Sequence, residues 1–312
     1  METNCKPGSR LFFCLLDLVQ RGRPLRRAGS ILFALLLSVL PALTGSCRRL
    51  DDGTGKEEEP AAPEAVIDSV LTRIRFRADT PVTGRLDLFV YDDAGIRPLE
   101  RHLRLDSLPA TPLNLPTLPG EKRLVAIADS PHSFNLNALA RYDAMEQLQY
   151  QFADDSPLHP IQGGWTTTQG NDGTVTLQPL LCKVVLVSVA NTMDDYELLE
   201  EPRIRLCDLP DAAEILREKD FRPAELIDAG DWVPLPYDVG YFPQKPDITL
   251  WCYPNDTPET VLGVPRPTLE LECRIRGESC SFEVQLPPLA RGCTKEVELT
   301  VDGPGAFRYK IR

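Results

Sequence analysis

The sequence predicts an all-β protein: two tandem β-sandwiches with minor helices, preceded by an N-terminal export signal. Three observations carry that reading. Short segments alternate apolar and polar residues at period two, as half-buried strands do. Gly- and Pro-rich stretches punctuate them. The chain downstream of the signal, about 245 residues, is long for one sandwich and comfortable for two.

The N-terminus reads as a targeting segment and takes no part in the fold. Arg21, Arg23, Arg26 and Arg27 precede an apolar run at 31–43 (ILFALLLSVLPAL), and the small residues Thr44, Gly45 and Ser46 lead to Cys47. The run falls short of the ~20 apolar residues that span a bilayer, and Pro41 interrupts it. Residues 1–46 are therefore expected to be a removed signal peptide and Cys47 a lipid-bearing N-terminus, resembling a bacterial lipoprotein box with Thr44 where Leu is usual. An ordinary signal cut after Ser46 and a retained helix are the other two readings. Residues 47–65 combine Gly, Pro and the acidic run Glu57, Glu58 and Glu59, and read as a flexible tether.

The first sandwich is assigned to 66–180. Its expected strands lie at 70–77, 85–92 (RLDLFVYD, with Leu86, Leu88 and Val90 on one face), 97–105 and 121–129 (EKRLVAIAD), with the Pro-rich stretch 109–119 as a connection. Residues 137–148 space Leu139, Tyr142, Met145 and Leu148 along one helical face. Gly163, Gly164, Gly170 and Gly173 mark turns before a strand at 174–180. The second sandwich, 181–312, opens with 182–190 (CKVVLVSVA), a β-branched run that predicts a strand covered on both faces. A short helix is expected at 211–218, and strands at 248–253, 268–276, 281–286, 296–301 and 307–311.

Charge and motif content exclude several function classes. Lys and Arg total 34 against 46 Asp and Glu, a net charge of -12, and residues 1–46 hold six of the basic but two of the acidic side chains, so the remainder is more acidic still. Such a chain repels phosphate backbones, which argues against nucleic acid as a partner. No motif for a catalytic serine, a zinc-binding helix or a phosphate loop occurs, and His102, His132 and His159 are scattered, so no enzymatic activity, cofactor or metal is expected. Asp92-Asp93, Asp154-Asp155 and Asp194-Asp195 lack the alternating ligand spacing of a calcium loop. Beyond Cys47 stand Cys182, Cys207, Cys252, Cys273, Cys280 and Cys293, with no C-x-x-C pair. Cys273 and Cys280 flank the turn expected at 276–278 and are the pair placed to form a disulfide. Cys182 and Cys252 sit in apolar runs, where a buried thiol acts as a small hydrophobe.

The order LDLFVYDDAG, GEKRLVAIADSP, LCKVVLVSV, WCYPNDTPETV, LELECRIRG and LARGCTKEVELTVDGPG resembles the fimbrillin superfamily of Bacteroidetes, most of all its lipoprotein anchor or minor subunits. That resemblance implies two transthyretin-like sandwiches, a cell-surface location on the outer membrane through the lipid of Cys47, and other fimbrial subunits as partners. It also implies assembly by strand exchange. Shaft subunits of the superfamily lose their first strand to an arginine-specific protease, and Arg73, Arg75 and Arg77 within the first strand and Arg85 just before the next make such a cut chemically possible; a solvated strand face is the favoured explanation of these arginines. Asp68-Ser69-Val70 and Asp106-Ser107-Leu108 resemble O-glycosylation triplets. The terminal stretch 306–312 (AFRYKIR) alternates Phe307, Tyr309 and Ile311 with basic residues after Gly303-Pro304-Gly305, and is the segment best placed to be exchanged; closing its own sandwich as an edge strand is the other reading, favoured more for an anchor than for a shaft subunit. A surface glycan-binding lipoprotein is the alternative, for which Trp165 and Trp232 would supply an aromatic platform.

Overall fold

The computed structural model describes residues 68–194 and 197–312. The export segment 1–46, Cys47 and the tether 47–65 lie outside the described residues. Strands β1 (Val70–Ala78), β2 (Leu86–Asp92), β3 (Leu99–Leu105), β4 (Leu113–Thr117), β5 (Lys122–Ala128), β6 (Gln149–Gln151), β7 (Gln162–Thr167) and β8 (Asp172–Pro179) fill the first half, with one short helix, α1 (Tyr142–Glu146). All but β6 join in the order β3-β2-β5-β7-β8-β1-β4. β7 and β8 pair only through Gln162↔Pro179 and Gly163↔Gln178, so the sheet folds over at that corner into two layers.

The layers close on a core in which Leu86, Leu88 and Val90 of β2 and Leu124, Ala126 and Ala128 of β5 meet Ile74, Leu115, Val175 and Leu177. Period two is thus realised as the sequence predicts. The alternate residues of β2 are buried as well: Asp87, Phe89 and Tyr91 are 0% exposed. A second cluster covers that face, formed by Leu139, Tyr142 and Met145 from around α1 together with Ile215, Leu216 and Phe221 from the second half of the chain.

Three expected turn glycines are instead inside strands, Gly163 and Gly164 in β7 and Gly173 in β8. A Cβ on Gly164 would lie 1.9 Å from the Thr176 carbonyl oxygen, and one on Gly163 would lie 2.5 Å from Ile215 Cγ1. Only glycine lets β7 cross β8 and the second half this closely. The Pro-rich connection likewise contains a strand, β4, whose Pro116 is tolerated because β4 ends the sheet path. The helix expected over 137–148 shrinks to α1, since neighbouring strands take the backbone at both ends. Leu99 N–H donates to Ala140 O, Tyr142 N–H to Arg97 O, and Ile215 N–H to Leu148 O.

The second half contains β9 (Cys182–Asn191), β10 (Glu200–Pro210), β11 (Ala212–Glu214), β12 (Leu226–Ala229), β13 (Val233–Pro234), β14 (Ile248–Cys252), β15 (Thr268–Ile275), β16 (Glu278–Gln285), β17 (Thr294–Gly303) and β18 (Ala306–Ile311). One sheet runs β12-β10-β15-β16, with β13 on β10; the other runs β14-β9-β17-β18, with β9 and β17 parallel. Val184, Leu186, Val297 and Leu299 of one sheet pack on Ile204, Leu206, Leu271 and Val284 of the other. The molecule is an all-β sandwich protein. β9 buries Cys182, Val184 and Leu186 but leaves Lys183 exposed and Val185 and Val187 half-buried, so its β-branched run is covered mainly on one face. The helix expected at 211–218 is absent: β11 pairs antiparallel with β6, Ala213 opposite Tyr150, and that partner strand satisfies the backbone instead.

Candidate functional site

The two halves of the chain meet at a junction built from more than apolar contact. Beside the β6–β11 pair, Arg291, in the connection between β16 and β17, donates to five carbonyls on three separate segments. Its Nη2 reaches Gly163 O at 2.8 Å and Gln178 O at 2.5 Å, its Nη1 reaches Ile215 O at 2.5 Å and Arg217 O at 3.4 Å, and its Nε reaches Pro179 O at 3.3 Å. Among the described residues no carboxylate pairs with it, and burial pulls the guanidinium down to about 10, which leaves it cationic at neutral pH. Nearby, Asp155 Oδ1 accepts from Ile161 N–H at 2.9 Å, and burial raises its carboxyl to about 6. Desolvation also raises the Tyr253 phenol beside it.

The histidines remain apart from one another. His102 Nε2 lies 2.8 Å from Asp87 Oδ1, which Arg104 Nε also contacts at 2.9 Å; His132 Nε2 lies 3.1 Å from Asp154 Oδ2, and His159 Nδ1 is 2.7 Å from Thr83 Oγ1. Two of the carboxylate pairs are likewise divided among partners: Asp92 faces Lys122 and Asp93 pairs with Arg123 at 2.9 Å, while Asp154 meets His132 and Asp155 meets Ile161 N–H; Asp195 of the third pair lies outside the described residues. Among the described residues no group of three or more His, Cys, Asp or Glu is arranged to hold a metal ion. A cavity of about 740 Å³ opens beside the β6–β11 pair between Gln149, Glu214, Arg217 and Arg222, with no His or Cys in its wall.

The tryptophans proposed as a glycan platform are covered. Arg123 lies over Trp165 at 5.2 Å, and Arg203 and Arg205, neighbours on one face of β10, lie over Trp232 at 4.7 and 4.2 Å. The arginines of the first strand do not behave alike. Arg73 and Arg77 are exposed, Arg75 pairs with Asp172 at 3.3 Å, and Arg85 turns inward to donate to Ser130 O and His132 O at 3.1 and 2.6 Å.

Cys273 and Cys280 stand opposite each other in the β15–β16 register. The turn between them has positive φ at Arg276 (56°) and Gly277 (78°), the signature of a two-residue type I′ hairpin. Cys182 is similarly opposite Cys252, and Cys293 precedes the first residue of β17, whose Thr294 pairs with Lys183. A hydrogen bond from the Cys182 thiol lowers Cys293, while Cys182 itself is raised.

The sheet edges complete the picture. β18 pairs only with β17 and buries little: Phe307 packs on Phe282 with ring centroids 5.4 Å apart and Ile311 touches the core, whereas Tyr309 is 52% exposed. The hairpin that feeds β18 is pinned by a two-pronged contact from Arg308 to Asp302, both bonds 2.8 Å, and this pair with Thr192 holds the Asp302 carboxyl at about 2.

No protein-family model and no curated protein matches the sequence. Solved structures do match the fold. A candidate cell adhesion protein from Parabacteroides distasonis ATCC 8503 superposes with a TM-score of 0.61 at 10% identity, over 78% of this chain and 95% of that one. The tip fimbrial protein Mfa3 from Porphyromonas gingivalis, with C-terminal truncation, gives 0.52 at 13% identity over 78% and 99%. The fold is fimbrillin-like. A fimbrilin from P. gingivalis W83 gives 0.50 at 11% identity, over 76% of this chain and 91% of that one. The fimbrillin-like fold places β7 and β10, which the sequence reading missed. β10 carries a signal that could have found it, since Ile204 and Leu206 alternate with Arg203 and Arg205.

Proposed function

We propose that this chain is a non-enzymatic structural subunit of cell-surface fimbriae, attached to the outer membrane by lipid at Cys47 and joined to other fimbrial subunits by strand exchange. The fold shared with fimbrial and adhesion proteins is the observation that carries the reading. The division into 66–180 and 181–312, with 1–46 as signal and 47–65 as tether, belongs to the same proposal. Within it, β18 is the donor segment. β18 puts only Phe307 and Ile311 against the core and is otherwise held by its backbone pairing to β17 and by the ion pairs Arg308–Asp302 and Arg312–Glu298, and its departure exposes the unpaired N–H and C=O groups of β17 to an incoming strand.

The test removes residues 306–312. Under the proposal the truncated chain stays folded, binds the synthetic peptide AFRYKIR in solution, and no longer supports fimbriae in the native host. A truncated chain that unfolds, or that stays folded and ignores the peptide, rules out donation by β18. The anchor is tested separately: mass spectrometry of membrane-derived protein should begin at Cys47 with added lipid mass, and Cys47→Ala should release the protein from membranes.

A further inference from the structure

Lys122 is the outlier in an apolar face. It stands at the inward positions of β5, in line with Leu124, Ala126 and Ala128, and its side chain is 0% exposed. Its direct cross-strand partner in the β2–β5 register is Asp92, which lies in line with Leu86, Leu88 and Val90. Nζ is 3.6 Å from Asp92 Oδ1 and 3.1 Å from Glu100 Oε2. Glu100 faces this site because of an irregularity in β3. Val90 pairs with Arg101 and Tyr91 with Leu99, so Glu100 is the extra residue of a β-bulge, and a bulge re-aims its side chain. Leu118 N–H fixes the other carboxylate oxygen, donating to Oε1 at 2.6 Å. Neither Lys122 Nζ nor Glu100 Oε2 makes a hydrogen bond of sound geometry, although both atoms are buried.

A fully buried amine beside Glu100, 12% exposed, and Asp92, 33% exposed, is an expensive arrangement as a mere ion pair, because water no longer reaches the amine and the hydrogen bonds that would replace it are not made. It is an economical arrangement for condensation. We propose that Lys122 and Asp92 form an intramolecular amide cross-link, with Glu100 as the proton relay. Nζ attacks Asp92 Cγ, the Nζ–Cγ bond forms and a Cγ–Oδ bond breaks. Glu100 takes a proton from Nζ and returns it to the departing hydroxyl, so that one water leaves and no oxidant or co-reactant is needed. Two adjacent strands hold the amine 3.6 Å from an oxygen of the carboxyl it attacks, so the reactants are already brought together before the bond forms. The product replaces the buried ammonium and its half-buried carboxylate partner by one neutral amide and ties β2 covalently to β5.

Intact mass and peptide mapping of the purified full chain decide the matter. The expected result is a mass below that of the sequence by one water, ~18 Da, with trypsin sparing Lys122 and the peptide that spans it joined to the peptide carrying Asp92. Glu100→Gln, which keeps the size of the side chain, should return the chain to its sequence mass. A wild-type chain at full sequence mass overturns the proposal. So does a mass deficit that maps to a succinimide elsewhere, or a cross-link that forms equally in Glu100→Gln, which would remove the relay. Asp92→Asn provides an independent reading that does not depend on fold stability, since the same attack then expels ammonia and the cross-linked product is identical to that of the wild type.

Discussion

Replacing Arg291 by Met retains the length of the side chain and removes all five donors at the junction. The three shorter bonds, to Gly163 O, Gln178 O and Ile215 O, span 2.5 to 2.8 Å. Hydrogen bonds to a charged group contribute about 1.5–3 kcal/mol each, so the lower figure for three gives about 4.5 kcal/mol, from which water returning to the freed carbonyls recovers a part. A net loss of about 3 kcal/mol is expected, or a fall in Tm of about 6–12 °C for a body of this size. Arg291→Lys should fall between the two, because an ammonium has three donors and no planar fork to serve carbonyls on three segments. Urea unfolding followed by tryptophan fluorescence and by far-UV circular dichroism measures the loss. The two probes should coincide in the wild type and separate in Arg291→Met, as the sandwiches lose their common clamp. A variant within about 1 kcal/mol of wild type, with coincident transitions, would refute the assignment of Arg291 as the clamp.

Three further outcomes are expected. Asp155 holds its proton up to about pH 6 when folded but releases it near the ordinary carboxylate range when unfolded, so its contribution to stability falls as pH rises from about 4 to 6, by at most about 1.4 kcal/mol per unit; Asp155→Asn should flatten that part of the Tm–pH curve, and an unchanged slope would refute the assignment. Gly164→Ala would place a Cβ 1.9 Å from Thr176 O and should cost about 3 kcal/mol or more, measured as soluble yield and Tm; a variant with wild-type Tm would show that β7 does not cross β8 so closely. Cys273 and Cys280, produced in an oxidising compartment, should appear as one linked peptide in non-reducing maps, and free thiols at both positions would exclude the pair.

Where one face of a strand meets the core and the other meets a weaker environment, alternation made the strand legible, as in β5, β15 and β16. The turn at Arg276-Gly277 then set Cys273 against Cys280 from sequence alone. What was hidden depended on partners distant along the chain. β7 looks like a turn because Gly163 and Gly164 leave no side chain to show a period, and the need for those glycines comes from Thr176 and Ile215. β11 looks like a helix start until β6 is present to pair with it. Arg291 reads as an ordinary basic residue before Gly292, since its acceptors are carbonyls, which have no signature in sequence. Lys122 and Asp92 were readable in principle: each is a charge on the inward period of an otherwise apolar strand.

If the chain assembles as proposed, the way its faces are used narrows how it can bind a neighbour. In the β3-β2-β5-β7 layer one face is sealed against β8, β1 and β4, and α1 and the segment around Ile215 cover much of the other. The second sandwich likewise spends its inner faces on its own core. A neighbour that adds along these layers must therefore use edges, where backbone groups are free, or loops, where apolar side chains are exposed. The described residues offer both. β4 and β18 end their sheets, and the loop carrying Tyr241 and Phe242, 78% and 75% exposed and packed edge to face at 5.4 Å, presents an aromatic pair to solvent. Edge pairing supplies affinity through backbone hydrogen bonds that any strand can make, so selectivity for a particular subunit must come from side chains beside the edge. On β18 these are the exposed Tyr309 and Lys310, since Arg308 is already paired with Asp302, and a basic Lys310 on an otherwise acidic chain favours a neighbour whose approaching edge is acidic.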